Sequence, residues 1–399
     1  MSEKIKICFI ADKHDLFDDR IYWKMAVPLR GMGHDIHYLL IGDKDEAGET
    51  EEGIKFHMFK LKTFSSNRYV NFLLKRLNPN NNYAKLFDSA RLLEADIYHF
   101  HDLWINRIGG KLKALPHNPV VFYDAREPYA EDYVSYIKSW PGFQFLIKIF
   151  ASYVDSWEKH KSRVYDLVIA NEETVQQKFA KVIGSDKATV LYNYSDALVD
   201  FQEVNYEEKK YDLIYSGAIT ELRGAYSMLS GLLVARQKLP DIQMVFLGRY
   251  SPESLKSELQ LFINENELSQ NVHLLDAVPY KDVADYYNKS RIGLVLLQKV
   301  KTYEISMPIK LFEYMWFGLP VIASNFGHMK KYVDKDSCGI LVEPDNADQI
   351  GSAMIELLSD RKLYASFSKN GRKAATKKYR WAFEFEKLVN FYKKALNER

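Results

Sequence analysis

The residues best suited to chemistry lie between positions 306 and 324. A loop ending at Pro308 leads into a short helix that Gly318 ends, and a buried strand follows at once. The start of a helix presents unpaired backbone N–H groups and the positive end of the helix dipole, which suits an anion. One turn into the helix, Glu313 is a lone carboxylate among apolar residues that could accept hydrogen bonds from a ribose. The block predicts a site for a sugar attached to a phosphate.

Two other loops carry a glycine and a cation just after a predicted strand. Gly217 precedes Arg223 in one loop, and Gly248 is followed directly by Arg249 in the other. An arginine fork can hold a diphosphate bidentately, although a solvated arginine at a loop end is the alternative for each. Neither loop has the glycines of a Walker or dinucleotide fingerprint. Because ligands of open α/β sheets gather where strands end, we expect both loops at the same site.

The loop from Asp276 to Tyr280 follows another short strand. Its backbone at Val278 is a candidate for binding a nucleobase, and Tyr280 is a candidate for stacking on it. A proline followed by Tyr280 is also typical of an ordinary helix start. We favour the helix start for the tyrosine ring and base binding for the backbone.

Composition limits the class of protein. With 399 residues the chain predicts two domains, and a hydrophobic content of 47% indicates a globular protein. A net charge of +2 gives no global field that would favour nucleic acid. Cys8 and Cys338 are far apart and lack metal-ligand spacing, so we expect reduced thiols without a disulfide or zinc. No signal-peptide pattern and no apolar stretch long enough to span a bilayer are present, so we expect a cytoplasmic location.

Short apolar runs alternate with longer amphipathic segments, which predicts parallel sheets with helical crossovers. We expect an N-terminal domain at 1–195, a second domain at 196–378 and a C-terminal amphipathic helix at 379–399 that packs toward the first domain. The predicted strands are Lys6–Ala11, Asp35–Leu40, Ile97–Phe100, Val120–Tyr123, Leu167–Ala170, Ala188–Leu191, Asp212–Ser216, Gln243–Leu247, His273–Leu275, Ile292–Leu296, Val321–Ala323 and Gly339–Val342.

A series of short motifs in the second half resembles glycosyltransferases of the GT-B fold, and more narrowly the retaining group 1 (family 4) enzymes. The motifs are Ser216-Gly217…Arg223-Gly224, Leu247-Gly248, Asn271-Val272-His273, Val278-Pro279-Tyr280, the block from Pro308 to Ser324 and Cys338-Gly339-Ile340-Leu341-Val342-Glu343-Pro344. The block from Pro308 is the specific part, and the others support it. The resemblance implies an α/β GT-B fold, with two doubly wound Rossmann-like domains facing across a cleft.

The resemblance also implies roles for residues of the second domain. Glu313 matches the family's ribose-binding glutamate, and Arg223 matches its diphosphate-binding basic residue. The companion glutamate that touches the donor sugar should fall at position 305, which is Ile305, and Glu304 is its neighbour. The implied donor-binding set is Gly217, Arg223, Arg249, Val278, Tyr280, Ile309, Lys310 and Glu313. A solvent-facing helix residue is the alternative for Lys310.

By the same resemblance the first domain holds the acceptor. The candidates after its first strand are Asp19 and Arg20, although Asp18 and Asp19 could instead cap the next helix. Strand Ile97–Phe100 leads into His101 and Asp102, which we expect beside the acceptor. Strand Val120–Tyr123 leads into the last three candidates, Asp124, Arg126 and Glu127. The predicted catalytic set is Glu313, Arg223, Lys310, His101 and Asp102.

The mechanism follows from the leaving group, a nucleoside diphosphate of a UDP- or GDP-sugar. Fixed cations and helix N–H groups would stabilise its charge, and the resemblance implies retention by front-face attack. No Asp-x-Asp pair suggests a metal-held diphosphate, so we expect no cofactor and no metal. The implied role is synthesis of bacterial surface polysaccharide or glycoconjugate on a saccharide or lipid-linked acceptor. Alternatives are an epimerase-type or non-catalytic nucleotide-sugar binder.

Two segments of the first domain predict a membrane partner. The tract 60–87 interleaves basic and aromatic residues, and 133–157 is rich in aromatic residues. Peripheral binding to an anionic inner leaflet would suit a lipid-linked acceptor. The alternative is internal packing of the aromatic side chains with solvated charges. No nucleic-acid-binding module is visible, so we expect no nucleic-acid partner.

Overall fold

The computed structural model describes residues 4–12, 14–60, 80–137, 141–196, 201–202 and 204–399, with the backbone alone at 80–82, 136, 141–142 and 280–281. The chain divides into two compact units. Unit 1 comprises Met1–Asn193 and Phe383–Arg399, and unit 2 comprises Tyr194–Ala382.

Unit 1 is built on an eight-stranded sheet in the order β3-β4-β2-β1-β5-β6-β7-β8. Every strand pair is parallel except β3 with β4. The strands are β1 (Lys6–Ala11), β2 (Asp35–Gly42), β3 (Glu46–Glu49), β4 (Lys55–Lys60), β5 (Ile97–His101), β6 (Val120–Ala125), β7 (Leu167–Ala170) and β8 (Ala188–Val190).

Helices connect these strands. A π-helical segment, Asp19–Ala26, continues into α1 (Val27–Gly31), and a 3-10 turn at Leu103–Ile105 precedes α3. The remaining helices of unit 1 are α2 (Asn80–Leu93), α3 (Asn106–Lys113), α4 (Tyr129–Tyr136), α5 (Pro141–Ser162) and α6 (Glu173–Ile183).

Unit 2 contains a six-stranded, wholly parallel sheet in the order β11-β10-β9-β12-β13-β14. Its strands are β9 (Tyr211–Ser216), β10 (Met244–Leu247), β11 (Val272–Leu275), β12 (Ser290–Val295), β13 (Val321–Ser324) and β14 (Gly339–Val342). Its helices are α7 (Ala225–Arg236), α8 (Leu255–Glu265), α9 (Tyr280–Asn288), α10 (Lys301–Ile305), α11 (Ile309–Trp316), α12 (Gly327–Asp336), α13 (Ala347–Ser359) and α14 (Arg361–Lys377).

The central strands of both sheets are buried apolar runs, as parallel strands covered by helices on both faces should be. In each unit the chain reverses its direction of progress across the sheet beside the first strand, between β1 and β5 in unit 1 and between β9 and β12 in unit 2. The carboxyl ends of the strands at such a switch point form a crevice that suits a ligand. The predicted α/β class with two doubly wound sheets is confirmed.

The last helix, α15 (Trp381–Asn397), contributes to unit 1 from Phe383 onward. Leu388 and Tyr392 on this helix are buried. The Tyr392 hydroxyl lies 2.6 Å from His99 Nδ1, and its ring packs against Phe122. The C-terminal segment therefore completes the core of unit 1.

Strands β3 and β4 were not predicted. All four residues of β3 are exposed, and it lies at the edge of the sheet. An exposed edge strand has no buried face, so it lacks the hydrophobic pattern that identifies a strand in a sequence. Among the described residues, no helix is both long and apolar enough to span a membrane.

A substitution at Gly224 tests how closely the backbone packs around the loop after β9. It has a φ of 83°, and a Cβ added there would lie 2.0 Å from the carbonyl oxygen of Leu296. Gly224→Ala should therefore lower the free energy of unfolding by about 1–3 kcal/mol, because of strain and overpacking. Urea unfolding followed by circular dichroism measures the change.

Gly110→Ala is the matched control, because Gly110 lies in α3 and its nearest neighbour would be Val164 Cγ2 at 3.9 Å. Alanine there should be neutral or stabilising, by about 0.5–1 kcal/mol. Equal unfolding midpoints for the two variants would contradict the close approach at Gly224.

Candidate functional site

Tyr215, at the end of β9, is the centre of the predicted phosphate site in unit 2. Its hydroxyl donates a hydrogen bond of 2.8 Å to the carbonyl oxygen of Ala218, which shapes the loop after the strand. Lys310 places its ammonium 4.7 Å from the centre of the Tyr215 ring, and the Arg223 side chain hydrogen-bonds to the same tyrosine. Burial raises the pKa of Tyr215 to about 12. One neutral aromatic residue thus holds two cations.

The loop between Gly217 and Gly224 fixes the position of Arg223. Thr220 caps a single 3-10 turn by accepting a hydrogen bond of 3.1 Å from the Arg223 amide, and Gly224 in the left-handed region ends that turn. Gly217 is required for a different reason, since a Cβ there would lie 3.2 Å from Lys310 Nζ. A side chain at 217 would press on the ammonium group, so glycine keeps the two loops close together.

Lys310 lies in the first turn of α11, where a phosphate site was expected. Pro308 precedes the helix, and no side chain caps its first amides. Burial lowers the pKa of Lys310, the Arg223 guanidinium lowers it further, and Glu313 partly opposes this. The ammonium form therefore lacks a sufficient negative partner in this structure, which is the condition that an incoming anion relieves.

Glu313 is held by a chain of hydroxyl groups. The Tyr287 hydroxyl donates 2.9 Å to Glu313 Oε2 and lies 2.7 Å from Ser216 Oγ at the end of β9. The Ser216 amide donates 3.0 Å to the Tyr314 hydroxyl. The hydrogen bond from Tyr287 orients the Glu313 carboxylate, a group that has about four lone-pair positions for hydrogen-bond donors.

The loops after β10 and β11 lie at the same edge of the sheet, as predicted. The Gly248 amide donates to the Leu275 carbonyl oxygen at 3.2 Å, and a Cβ on Gly248 would come within 1.7 Å of the Gly217 carbonyl oxygen. Arg249 has an exposed side chain, and its carbonyl oxygen accepts from the Ile219 amide at 2.8 Å. Val278 and Ile309 are partly buried. Tyr280 starts α9, but its side chain lies outside the described part of the chain.

Position 305 is helical rather than an irregular loop. Ile305 is 8% exposed at the end of α10. Glu304 is on the same short helix, with 39% of its side chain exposed and a carboxylate oxygen 3.9 Å from Lys301 Nζ. Glu304 could replace the companion glutamate only if the loop were bulged. The structure instead has a regular turn, in which the Glu304 amide donates to the Val300 carbonyl oxygen.

In unit 1, a network of charged residues lies at the switch point between β1 and β5. His14 Nε2 is 2.9 Å from Asp102 Oδ1, and His14 Nδ1 is 3.0 Å from Asp18 Oδ2. Arg126 Nη1 is 3.2 Å from the other Asp18 oxygen. Burial lowers the pKa of His14, but the hydrogen bonds to Asp102 and Asp18 outweigh it and raise that pKa to about 9. His14 is therefore a cation at neutral pH, with both ring nitrogens engaged.

Asp102 has an unusual backbone as well as a central position in the network. Its φ is 75°, a strained value for a residue other than glycine. Asp102 Oδ2 accepts from the Asp12 amide at 3.1 Å, and the Tyr83 hydroxyl donates 2.8 Å to Asp12 Oδ2. Strain of this kind is concentrated at functional sites, so the carboxyl end of β5 is the candidate site of unit 1.

Arg20 and Asp124 form an ion pair beneath this network. Arg20 Nε is 2.9 Å from Asp124 Oδ2, Nη2 is 3.3 Å from Oδ1, and Nη1 donates to the Leu191 carbonyl oxygen at 3.1 Å. Both side chains are fully buried. Arg20 was predicted to reach an acceptor, but its guanidinium is committed to the core.

His99 and His101 stack on each other beside this pair and are fully buried. Burial lowers the pKa of both imidazoles. Together with Asp124 they bring possible metal ligands within 4.8 Å of one another. However, Arg20 already occupies the same carboxylate, so the group fits a buried ion pair with two neutral histidines better than it fits a cation site. His101 lies below the surface instead of at it.

The comparisons with known proteins agree with the geometry of unit 2. Residues 196–374 match the family described as glycosyl transferases group 1. That stretch contains Arg223, Lys310 and Glu313.

A curated relative, the spore coat protein SA of Bacillus subtilis, is 22% identical over 186 residues, which are 46% of this chain and 48% of that protein. The chain therefore spans about half the length of this relative. The chain shares its fold with solved structures of the GT-B class, which confirms the predicted fold. Sucrose-phosphate synthase from Thermosynechococcus elongatus has a TM-score of 0.72 at 14% identity, over 99% of this chain and 100% of that one. Anabaena HepE in complex with UDP-glucose has a TM-score of 0.69 at 16% identity, over 98% and 100%.

The structure brings together four residues of the predicted donor set: Gly217, Arg223, Lys310 and Glu313. On the predicted acceptor side, Asp102 and Arg126 join one network, whereas Asp19 pairs with Lys24 at 2.6 Å and Glu127 is exposed. The alternative assignment of a helix cap applies to Asp18, which accepts from the amides of Arg20 and Ile21.

Sequence analysis missed Tyr215, Tyr287 and His14 as site residues. The two tyrosines contact Lys310 and Glu313 across long sequence separations, so no local spacing indicates them. His14 lies in a dense polar loop after β1, and that position was the one available signal.

Asp124→Asn tests the buried ion pair. Loss of the carboxylate charge leaves Arg20 buried and uncompensated, so the free energy of unfolding should fall by about 3–5 kcal/mol. The matched control is Asp88→Asn at the exposed Asp88–Arg91 pair of 3.0 Å, which should cost about 0.5 kcal/mol or less. Urea unfolding at neutral pH compares the two, and similar losses would show that the Arg20–Asp124 pair is not a buried charge pair.

Proposed function

We propose that this chain transfers a sugar from a UDP- or GDP-sugar to a saccharide or lipid-linked acceptor, with retention of anomeric configuration. The observation that carries the proposal is the arrangement around Tyr215, where Lys310 and Arg223 share one neutral ring at the uncapped start of α11. A diphosphate would bring negative charge to these two cations. Glu313, oriented by Tyr287, is placed to accept hydrogen bonds from the ribose hydroxyls.

The same groups account for catalysis. When the glycosidic bond breaks, the β-phosphate oxygen gains negative charge, and two preorganised cations with helix amides stabilise it more than they stabilise the intact donor. Because Arg223 and Lys310 supply this charge, we propose that no divalent metal is needed.

The state of the histidines in unit 1 supports retention. His14 is a cation held between two carboxylates, and His99 and His101 are buried. None of these three is an exposed neutral imidazole that could deprotonate an acceptor from the opposite face. Front-face attack uses the departing phosphate oxygen as the base, so it requires no such residue. The biological role in bacterial surface polysaccharide synthesis and the location at the inner face of a membrane stay predictions.

A second candidate function rests on position 305. The buried Ile305 places no carboxylate where the resemblance puts a sugar contact, and Glu304 is largely turned to solvent. A nucleotide-sugar binder without transferase activity, or an epimerase-type enzyme, would fit that feature. Turnover separates these functions.

The test is release of nucleotide from UDP- and GDP-sugars with a panel of saccharide acceptors, in buffer containing EDTA. Arg223→Ala should lower kcat by about 10²–10³-fold, since it removes a charge contact to the leaving group. Glu313→Gln should raise the donor KM by about ten-fold through loss of a charged hydrogen bond. Arg236→Ala changes a half-buried arginine at the end of α7, outside the proposed site, so it is the control and should retain full activity.

The outcomes discriminate between the functions. Donor binding without release of nucleotide would support the non-catalytic alternative. Conversion of the donor to its epimer would support the epimerase. If NMR showed that the transferred sugar has the inverted anomeric configuration, retention would be contradicted, but sugar transfer would not.

Lys310 gives a pH prediction for donor binding. Its pKa is lowered in the free protein, and the negative diphosphate should raise it, so binding takes up a proton at pH values between the two pKa values. Affinity for UDP or GDP should fall as pH rises through that window. Calorimetry in buffers of different ionisation enthalpy measures the proton uptake, and Lys310→Met should abolish it. Equal uptake by the wild type and this variant would refute the assignment.

A further inference from the structure

The outer face of α5 carries an unusual concentration of exposed apolar side chains. Among the described residues, six of the twelve exposed large hydrophobic side chains lie between positions 137 and 153. They are Ile137, Phe143, Phe145, Leu146, Ile149 and Tyr153. We call this set the α5 apolar face. Soluble proteins rarely expose so many large apolar residues side by side, so a partner is indicated.

The spacing along α5 shows that Phe145, Leu146, Ile149 and Tyr153 form one surface. Phe145, Ile149 and Tyr153 are four residues apart, which places them in line along the helix, and Leu146 lies beside them. Phe145 is 64% and Tyr153 is 61% exposed. The opposite face of α5 packs inward through Ile147, Ala151 and Val154. The α5 apolar face is thus additional to the face that the fold requires.

The aromatic residues of this segment divide between the two faces. Phe150 and Trp157 pack on the cluster of Leu103, Tyr129 and Val154, so internal packing explains them. Internal packing does not explain Phe145 or Tyr153. The tract 60–87, the other predicted membrane segment, falls outside the described residues at 61–79 and contributes nothing to this argument.

The charges around the α5 apolar face identify the partner. Lys148 is exposed beside the apolar residues, and His160 and Arg163 are exposed at the C-terminal end of the segment. The two acidic residues of α5, Asp155 and Glu158, are both paired with Lys178, at 2.9 and 2.8 Å. Exposed apolar residues with a basic border and no unpaired carboxylate suit an anionic lipid surface. A second copy of the same face would oppose like charges.

We propose that the α5 apolar face binds the surface of an anionic bilayer. The aromatic and aliphatic side chains enter the region between headgroups and acyl chains, while Lys148 and Arg163 contact anionic headgroups. This inference rests on the proposed function in one respect, because it identifies the surface from which unit 1 would reach a lipid-linked acceptor.

A site-specific probe tests the proposal without a destabilising variant. Cys8 and Cys338 are both buried, so a thiol-reactive nitrobenzoxadiazole dye on Tyr153→Cys reports from this position. Its emission should shift to the blue and rise with phosphatidylcholine vesicles that contain phosphatidylglycerol. The same dye on Leu261→Cys, an exposed position on α8, is the matched control and should not respond.

Vesicle flotation gives a second readout. The triple variant Phe145→Ser, Leu146→Ser, Ile149→Ser should bind the anionic vesicles at least about ten-fold more weakly, and Lys148→Glu should weaken binding mainly at low salt. Leu92→Ser and Leu261→Ser, two exposed leucines elsewhere, should bind like the wild type. Circular dichroism checks that each variant is folded.

Three results would overturn the proposal. They are absence of wild-type binding to anionic vesicles, equal binding by the triple variant, and a dimer in light scattering that the triple variant dissociates while vesicles bind neither form. Nucleotide release from a UDP- or GDP-sugar with a water-soluble acceptor is measured in parallel without vesicles. Turnover without vesicle binding refutes the α5 surface alone, and vesicle binding without turnover refutes the proposed function alone.

Discussion

At the predicted phosphate site of unit 2, the positive charge depends on one arrangement, in which Arg223 and Lys310 lie beside the neutral side chain of Tyr215. Arg223 hydrogen-bonds to Tyr215, and Lys310 lies over the Tyr215 ring. Burial lowers the pKa of Lys310, and repulsion by Arg223 lowers it further, so the folded chain carries an electrostatic cost in this loop. An anion at the start of α11 would remove that cost. The close approach at Gly217 serves this arrangement because it brings the loop after β9 up to Lys310, and Gly224 packs the end of the same loop against the backbone of Leu296.

At the corresponding switch point of unit 1, by contrast, the cations are paired with carboxylates. His14 and Arg126 lie against Asp18, and Asp102 pairs with His14. Arg20 is neutralised by Asp124 in the core. Cations satisfied in this way add little attraction for a phosphate, whereas carboxylate oxygens keep lone pairs for hydroxyl groups. Under the proposed function, the site in unit 2 would take the anion and the unit 1 network would take a neutral polyhydroxy compound.

The sequence predicted the parallel strands well because parallel strands buried on both faces are continuous apolar runs. β1, β7 and β14 have the predicted bounds, and most of the others differ by one or two residues at an end. β3 was missed because an exposed edge strand has no such run, and β4 was missed because only Met58 and Phe59 of its six residues are buried. Within the site, Arg223, Lys310 and Glu313 were identifiable from their places after strands and in a helix start. Tyr287 and Tyr215 were not, because they act through contacts between distant segments.

The burial of Arg20 and His101 shows a limit of reading function from chemical type alone. Both residues are polar, both follow or end a strand, and both were expected beside a ligand. Neither has any exposure, because Asp124 lies between them and binds the guanidinium through both oxygens. Asp124 therefore holds Arg20 and His101 in the core. Of the predicted acceptor-side residues at the end of β6, the half-buried Arg126 and the exposed Glu127 remain accessible.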